Sequence, residues 1–211
     1  MTLNLEAWQK RVLLILGVVA VAGLFALAFT AGRVAATPQS PGNDSPDAGF
    51  ARDMQVHHSQ AVEMSRIIRE QTDDVVLRTI AYDIAMTQQH QIGQMYAWLQ
   101  DWGLPQSSDA ERMAWMAGSG HAHEGGGTVP ADGLMPGMAT PGEMQALSEA
   151  TGEDGERLFL ELMIEHHKAG VDMAEAGVEL AAESEVRELA RKMAASQELE
   201  ITAMEDLLAQ L

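Results

Sequence analysis

Three regimes of hydrophobic and polar patterning follow one another along the chain. From Val12 to Gly32 no residue is charged, and Lys10, Arg11 and Arg33 flank the run. A transmembrane helix needs roughly 20 apolar residues, whereas the apolar core of a cleaved signal is usually about 7 to 15 long. The expectation is a membrane anchor over 12–32, with residues 1–11 cytoplasmic under a weak positive-inside bias and the remainder outside the membrane. Cleavage after Val34-Ala35-Ala36 would instead leave a secreted domain. The segment Thr37 to Asp47 (TPQSPGNDSPD) has three prolines and no apolar periodicity, so 33–47 reads as a flexible tether.

The third regime is helical. Phe50, Met54, Ala61, Val62, Met64, Ser65 and Ile68 recur at the α-helical period, which predicts a helix from Phe50 to about Arg69. A break near Gln71-Thr72-Asp73 supplies an N-cap candidate. A second helix follows with Val76, Ile80, Ile84, Gln88, Gln91, Met95 and Leu99 on one stripe, ending at Gly103-Leu104-Pro105. Arg157 to about Ala182 and Val186 to Leu211 predict two more long helices, with Ser184 as the cap of the last.

These helices repeat. Met54, His57, His58, Val62 and Met64 match Met163, His166, His167, Val171 and Met173 at a constant offset of 109, and Phe50 matches Phe159. The offset continues through Ala81/Ala190, Ala85/Ala194, Gln88/Gln197, Ile92/Ile201, Met95/Met204 and Leu99/Leu208. The repeated unit is therefore a helix hairpin, 48–103 and again 154–211, duplicated so that two copies bury each other's apolar faces. Between them, 104–153 is too long for a turn. Within it, Asp109 to Met116 is a candidate short helix, and Thr140-Pro141-Gly142-Glu143 is a capping-box pattern opening a helix from Pro141 to Ala150. Two hairpins joined by one long crossover predict an all-α, ferritin-like four-helix bundle over 48–211, behind an N-terminal transmembrane helix.

Charge and composition narrow the chemistry. With 13 Lys+Arg against 31 Asp+Glu the formal net charge is −18, and three of the basic residues sit beside the apolar run, so the domain itself is more acidic still. Such a surface repels polyanions and excludes nucleic acid as a partner. Acidity by itself indicates solubility more than a ligand. No cysteine is present, so disulfides, thiolate metal sites and a lipid-bearing thiol are all ruled out. No Gly-rich phosphate loop follows a strand either.

What remains is methionine and histidine. Neighbouring helical side chains diverge by about 100°, so His57 and His58 do not point the same way; Met54 lies one turn before both, and Met64 two turns beyond His57. Met163, His166, His167 and Met173 repeat the arrangement. Imidazole ligates copper, zinc and iron, whereas thioether sulfur selects Cu(I) and similarly soft ions, so this set favours copper. Gln88, Gln91, Gln197 and Glu200 are candidate partners from the second helix of each hairpin. A di-iron oxidase would need a Glu from each of two helices and Glu-x-x-His from the other two. The corresponding stretches read Gln88-Gln89-His90-Gln91 and Gln197-Glu198-Leu199-Glu200. Methionine alone is ordinary core filler, and an isolated histidine on an apolar face commonly satisfies a carbonyl. The crossover holds a second group, His121, His123, Met135 and Met138 with Met113, Met116 and Met144, in a segment with little else apolar to bury, which reads as an exposed loop cluster able to wrap a soft ion.

The HHxxAVxM and MIxHHxxGVxM motifs, the stretches ending in Met95 and Met204, and GLMPGMATPGEMQAL resemble the family called domain of unknown function 305, over nearly all of the chain beyond the apolar run. The resemblance implies an exported ferritin-like helical protein with two repeats, in a family of which some members are associated with copper or silver binding and metal tolerance. By position it places the motif on His57, His58 and Met64, and on Met163, His166, His167 and Met173. Gly170 departs from the usual alanine. The expectation is an extracytoplasmic binder that is not an enzyme, taking Cu(I) or Ag(I) for buffering, transfer or tolerance, with iron and zinc as further candidates. The alternatives are a redox enzyme with a histidine-bound metal centre and a structural or adaptor domain. Metal ions and, through the first helix, a membrane are the expected partners; nothing in the sequence names a protein partner.

Overall fold

The computed structural model describes residues 6–35, 40–120 and 133–211. Among them every regular element is helical: α1 (Ala7–Ala35), α2 (Pro46–Gln71), α3 (Val75–Asp101), a 3-10 turn (Ala114–Met116), α4 (Pro141–Glu149), α5 (Gly152–Leu180) and α6 (Ser184–Leu208). The chain divides into two units at Ser40. The first contains α1, of which Ala7–Thr30 is long and apolar enough to cross a membrane by length and composition. Between Val12 and Phe29 its leucines, valines and phenylalanines are exposed, Phe25 by 73%.

The second unit is a bundle of four long helices. Its closest helix pairs are α2 with α3, α5 with α6, and α2 with α5. Phe50, near the start of α2, lies against Gly177, near the end of α5. At the other end Met64 and Ile68 of α2 share an apolar cluster with Phe159, Leu160 and Met163 of α5. The two helices therefore run antiparallel, and the repeat is a rotation of one hairpin onto the other. Because α2 and α5 contact both their own hairpin partner and each other, they carry most of the buried positions. Each buried Met, Leu or Phe contributes about 1.5–3 kcal/mol of transfer free energy.

Several boundaries differ from the expectation, and each difference has a cause. α2 starts at Pro46 instead of Phe50, so the last residues assigned to the tether are helix. Proline suits the first helical position, where no donor is needed, and Ser45 Oγ accepts from the Ala48 N–H at 3.2 Å. Asp47 is then fully buried and accepts from the N–H groups of Ala182 (3.1 Å) and Glu183 (2.9 Å). That long-range carboxylate serves the start of α6, where Ser184 is the first helical residue rather than the cap. In α3 the cap is Asp74, and the inward stripe begins Leu77, Ala81, leaving Val76 57% exposed. α5 begins at Gly152, five residues before Arg157. The helix expected over Asp109–Met116 is only the 3-10 turn, preceded by Met113 in the left-handed region (φ 65°). What holds this segment is a tertiary contact: Asp53 Oδ2 accepts from Met113 N (2.7 Å) and Trp115 Nε1 (3.0 Å). The capping box at Thr140 and Glu143 forms as expected.

Candidate metal centre

Each central helix brings its histidine pair to the middle of the bundle, and all four rings are essentially unexposed. The divergence of adjacent side chains sorts them into two roles. His57 and His166 point toward each other across the α2/α5 seam and stack, ring centroids 3.7 Å apart and planes 30° from parallel. They are equivalent positions of the repeat, so the stack sits where the two copies meet. His58 and His167 point the other way, toward the outer helix of their own hairpin. There His58 Nε2 meets Gln91 Oε1 at 2.8 Å and His167 Nε2 meets Glu200 Oε2 at 2.8 Å. Of the four candidate partners, Gln91 and Glu200 therefore reach the rings, and a carboxylate is present in one copy only.

These partners set the tautomers. A carboxylate, an amide oxygen and a main-chain carbonyl can only accept, so Nε2 of His167, of His58 and of His166, the last bonded to the His57 carbonyl at 3.0 Å, carry the hydrogens. Nδ1 of each is buried and without a partner, and in the neutral rings of His58 and His166 it is a bare lone pair. His57 is less satisfied still. Neither of its ring nitrogens has a hydrogen-bond partner, the Pro136 carbonyl lying close enough to favour the charged ring without closing a bond of normal geometry. Gln88 at both amide atoms, Gln197 Oε1 and Ser65 Oγ are also unpartnered. Buried polar atoms normally find partners, and an unmet one costs about 1–3 kcal/mol. Here they occur on α2, α3, α5 and α6 alike.

Burial keeps the rings of His57, His58 and His166 neutral. Loss of hydration pushes His57 down from 6.5 to about 3, reinforced by His58 and His167. It pushes His58 to about 3 against the opposing bond to Gln91, and His166 well below 6.5, with His57, His167 and His58 adding to the effect. Neutral imidazole is the form that donates to a metal.

The four expected thioethers are divided between the two apolar clusters of the bundle, one from each copy in each. Met54 and Met173 belong to one apolar cluster, Met64 and Met163 to the other, and all four are buried. The crossover differs from the exposed loop cluster expected of it. Met113, Met116 and Met135 are buried in the same cluster as Met54 and Met173, with Met138 packed against it. His121 and His123 lie outside the described residues. The stretch Met135–Ala139 is strapped down close to the stacked rings. Gln60 accepts from Ala139 N (2.7 Å) and donates to its carbonyl (2.8 Å), while Gly137 (φ 72°) sits so close to α5 that a Cβ there would come 2.7 Å from Glu165 O and 3.2 Å from His166 Cα. Neither Gln60 nor Gly137 stood out in sequence; the GLMPGMATPGEMQAL segment did, but without its place in the fold.

Among the described residues no three His, Asp or Glu side chains are grouped as a ready-made metal site. The donors on offer are imidazole lone pairs and thioethers, a set that fits a soft ion needing few ligands better than a three-imidazole zinc or carboxylate-bridged iron centre.

The family profile described as a domain of unknown function, DUF305, matches residues 47–208. Among solved structures, a candidate secreted DUF305 protein from Streptomyces coelicolor is similar, with 48% identity, TM-score 0.72, and 80% of this chain and 95% of that one covered. A DUF305 fragment from Deinococcus radiodurans follows at 30% identity and TM-score 0.64, covering 82% and 100%. CopM in its Cu(I)-bound form shares the fold at 23% identity and TM-score 0.59, covering 78% and 96%. No curated protein matches the chain.

Proposed function

The chain belongs to the DUF305 family, and from that footing we propose that it binds soft monovalent metal ions, Cu(I) or Ag(I), outside the cytoplasm, held at the membrane by α1, to buffer or pass on the ion without catalysis. The observation that carries this is the layer of four buried histidines. Three of them present an unpartnered Nδ1 and the fourth two unpartnered nitrogens, between buried methionines. Stability alone gives no reason to keep such atoms, whereas a ligand with empty orbitals satisfies them. His57, His58, His166 and His167 would hold the ion with Met54, Met64, Met163 and Met173, and Met135 with Met138 from the strap extends the thioether supply.

Two further points support the reading. CopM has been solved with Cu(I), with Ag and with Cu(II) bound, so the shared fold accommodates such ions in that protein. The secreted description of the Streptomyces relative and the apolar α1 agree with export. An exported domain without cysteine keeps its soft-metal ligands in an oxidising compartment.

The test is a competition titration on the full chain in detergent, with Cu(I), Ag(I), Zn(II) and Fe(II) set separately against chelators of known affinity. Tight Cu(I) and Ag(I) binding is expected, weakened when Met54, Met64, Met163 and Met173 are changed together to Leu. Leu preserves volume and fold. Tight binding of Zn(II) or Fe(II) alone, or of no metal, overturns the proposal.

A further inference from the structure

We propose that the two halves of the centre are not equivalent, and that Glu200 is the positioning residue that makes the His166/His167 half the tighter one, filled first by the ion. The inference rests on the soft-metal reading of the histidine layer and concerns how that layer discriminates between its halves.

The duplication acts as an internal control. The histidines His57/His166 and His58/His167, the methionines Met54/Met163 and Met64/Met173, and Gln88/Gln197 have the same residue type in both copies at the offset of 109. Among the positions that break the match, two bear on how the outer helix of each hairpin meets the layer: Gln91 against Glu200, and Ala61 against Gly170. The first pair makes the same bond. Each residue comes from the outer helix of its hairpin, 33 residues after its histidine, and each accepts from Nε2 at 2.8 Å. With geometry equal, what differs is charge. A carboxylate on Nε2–H leaves the imidazole a stronger donor at Nδ1, and it supplies a negative charge against the cation that enters the core; an amide oxygen orients the ring and supplies none. Both Nδ1 atoms are buried and unpartnered, so each half offers an entering ion the same ring atom.

The second difference acts on the same side. A Cβ at position 170 would lie 2.3 Å from Gln197 Oε1, so the missing methyl is what lets that side chain lie against α5 one turn beyond His166 and His167. In the other copy Ala61 carries the methyl. Gln197 Oε1 is buried and unpartnered. The second half therefore combines an anionic orienting group with an oxygen brought close to the helix backbone.

Silver ion is the probe, added to the full chain in detergent while the histidine ring signals are followed by NMR. The His167 ring signals are expected to move at lower Ag(I) than those of His58. Glu200→Gln should weaken the tighter step about 10- to 100-fold, the range found for carboxylates that orient metal-bound histidines. The exchange Gln91→Glu with Glu200→Gln keeps both hydrogen bonds and the overall composition, and it should reverse the order so that His58 responds first. A purely structural Glu200 would shift stability without reversing that order. Simultaneous movement of the two rings in the wild type, or an order unchanged in the exchanged variant, overturns the inequality while leaving the metal reading intact. No response of any ring to Ag(I) overturns the metal reading and the inequality with it.

Discussion

Replacing His57 by Leu should stabilise the metal-free protein. The ring is completely buried, stacked on His166, and both of its nitrogens lack a hydrogen-bond partner. Each unmet polar atom costs about 1–3 kcal/mol, so removing two relieves roughly 2–6 kcal/mol. Against this stand the lost ring–ring contact, about 0.5–1.5 kcal/mol, and imperfect refilling by a branched side chain, under about 1.5 kcal/mol. The backbone bond from His166 Nε2 to the residue-57 carbonyl survives the change. A net gain of about 1–3 kcal/mol follows, and for a domain of this size each kcal/mol raises Tm by about 2–4 °C. Calorimetry on chelator-treated protein measures it directly, and repeating the scan with Ag(I) should show a smaller metal-induced rise in the variant than in wild type. A loss of more than about 1 kcal/mol would refute the reasoning, because it would mean that the ring is satisfied in the folded apo protein and is retained for packing.

The depressed histidines also make the metal-free bundle acid-sensitive. Folded His57 and His58 titrate near 3 and His166 well below 6.5, while the unfolded chain takes up protons near 6.5; the unfolded state therefore binds more protons, and stability falls as pH drops below 6.5. Three such groups approach a slope of about 4 kcal/mol per pH unit, readable as Tm against pH, and His57→Leu should cut it by roughly a third. Gly137→Ala forces a Cβ to 2.5 Å from Ala169 Cβ at φ 72°, a strain of about 2–4 kcal/mol that the strap relieves by lifting off. Amide exchange at Ala139 should rise at least tenfold while α3 keeps its protection. Asp47→Ala leaves the Ala182 and Glu183 N–H groups without their acceptor and should lower stability by about 1–3 kcal/mol, with partial recovery in Asp47→Asn; no loss by calorimetry would show that solvent replaces the carboxylate.

Much of the architecture was legible because it is periodic. Met54, Ala61, Met64 and Ile68 recur at the helical period, and that recurrence is a local property which burial on one face enforces. The 109-residue offset survived the same way, since equivalent positions in a duplicated hairpin meet equivalent surroundings. Where sequence reading slipped, a distant group had replaced a local signal. Asp47 does from α2 what a cap residue would do for α6, and Asp53 holds the segment around Met113 that local propensity would have made a helix. The crossover methionines looked exposed because their own segment is polar; they are buried because the bundle provides the apolar surface they pack against.

Residue types and spacing therefore determined by themselves that the protein is thiol-free and, beyond its apolar first helix, helical, duplicated, acidic and furnished with repeated methionine and histidine positions. Tertiary structure decided which of these groups meet. It stacked His57 on His166, turned His58 toward an amide and His167 toward a carboxylate, placed each thioether in an apolar cluster with one from the other copy and laid Met135–Ala139 close to the centre. The reason is physical: a helix fixes the direction of a side chain relative to its neighbours in sequence, but the antiparallel packing of α2 on α5 fixes what lies opposite, and no term in the local chain encodes that contact.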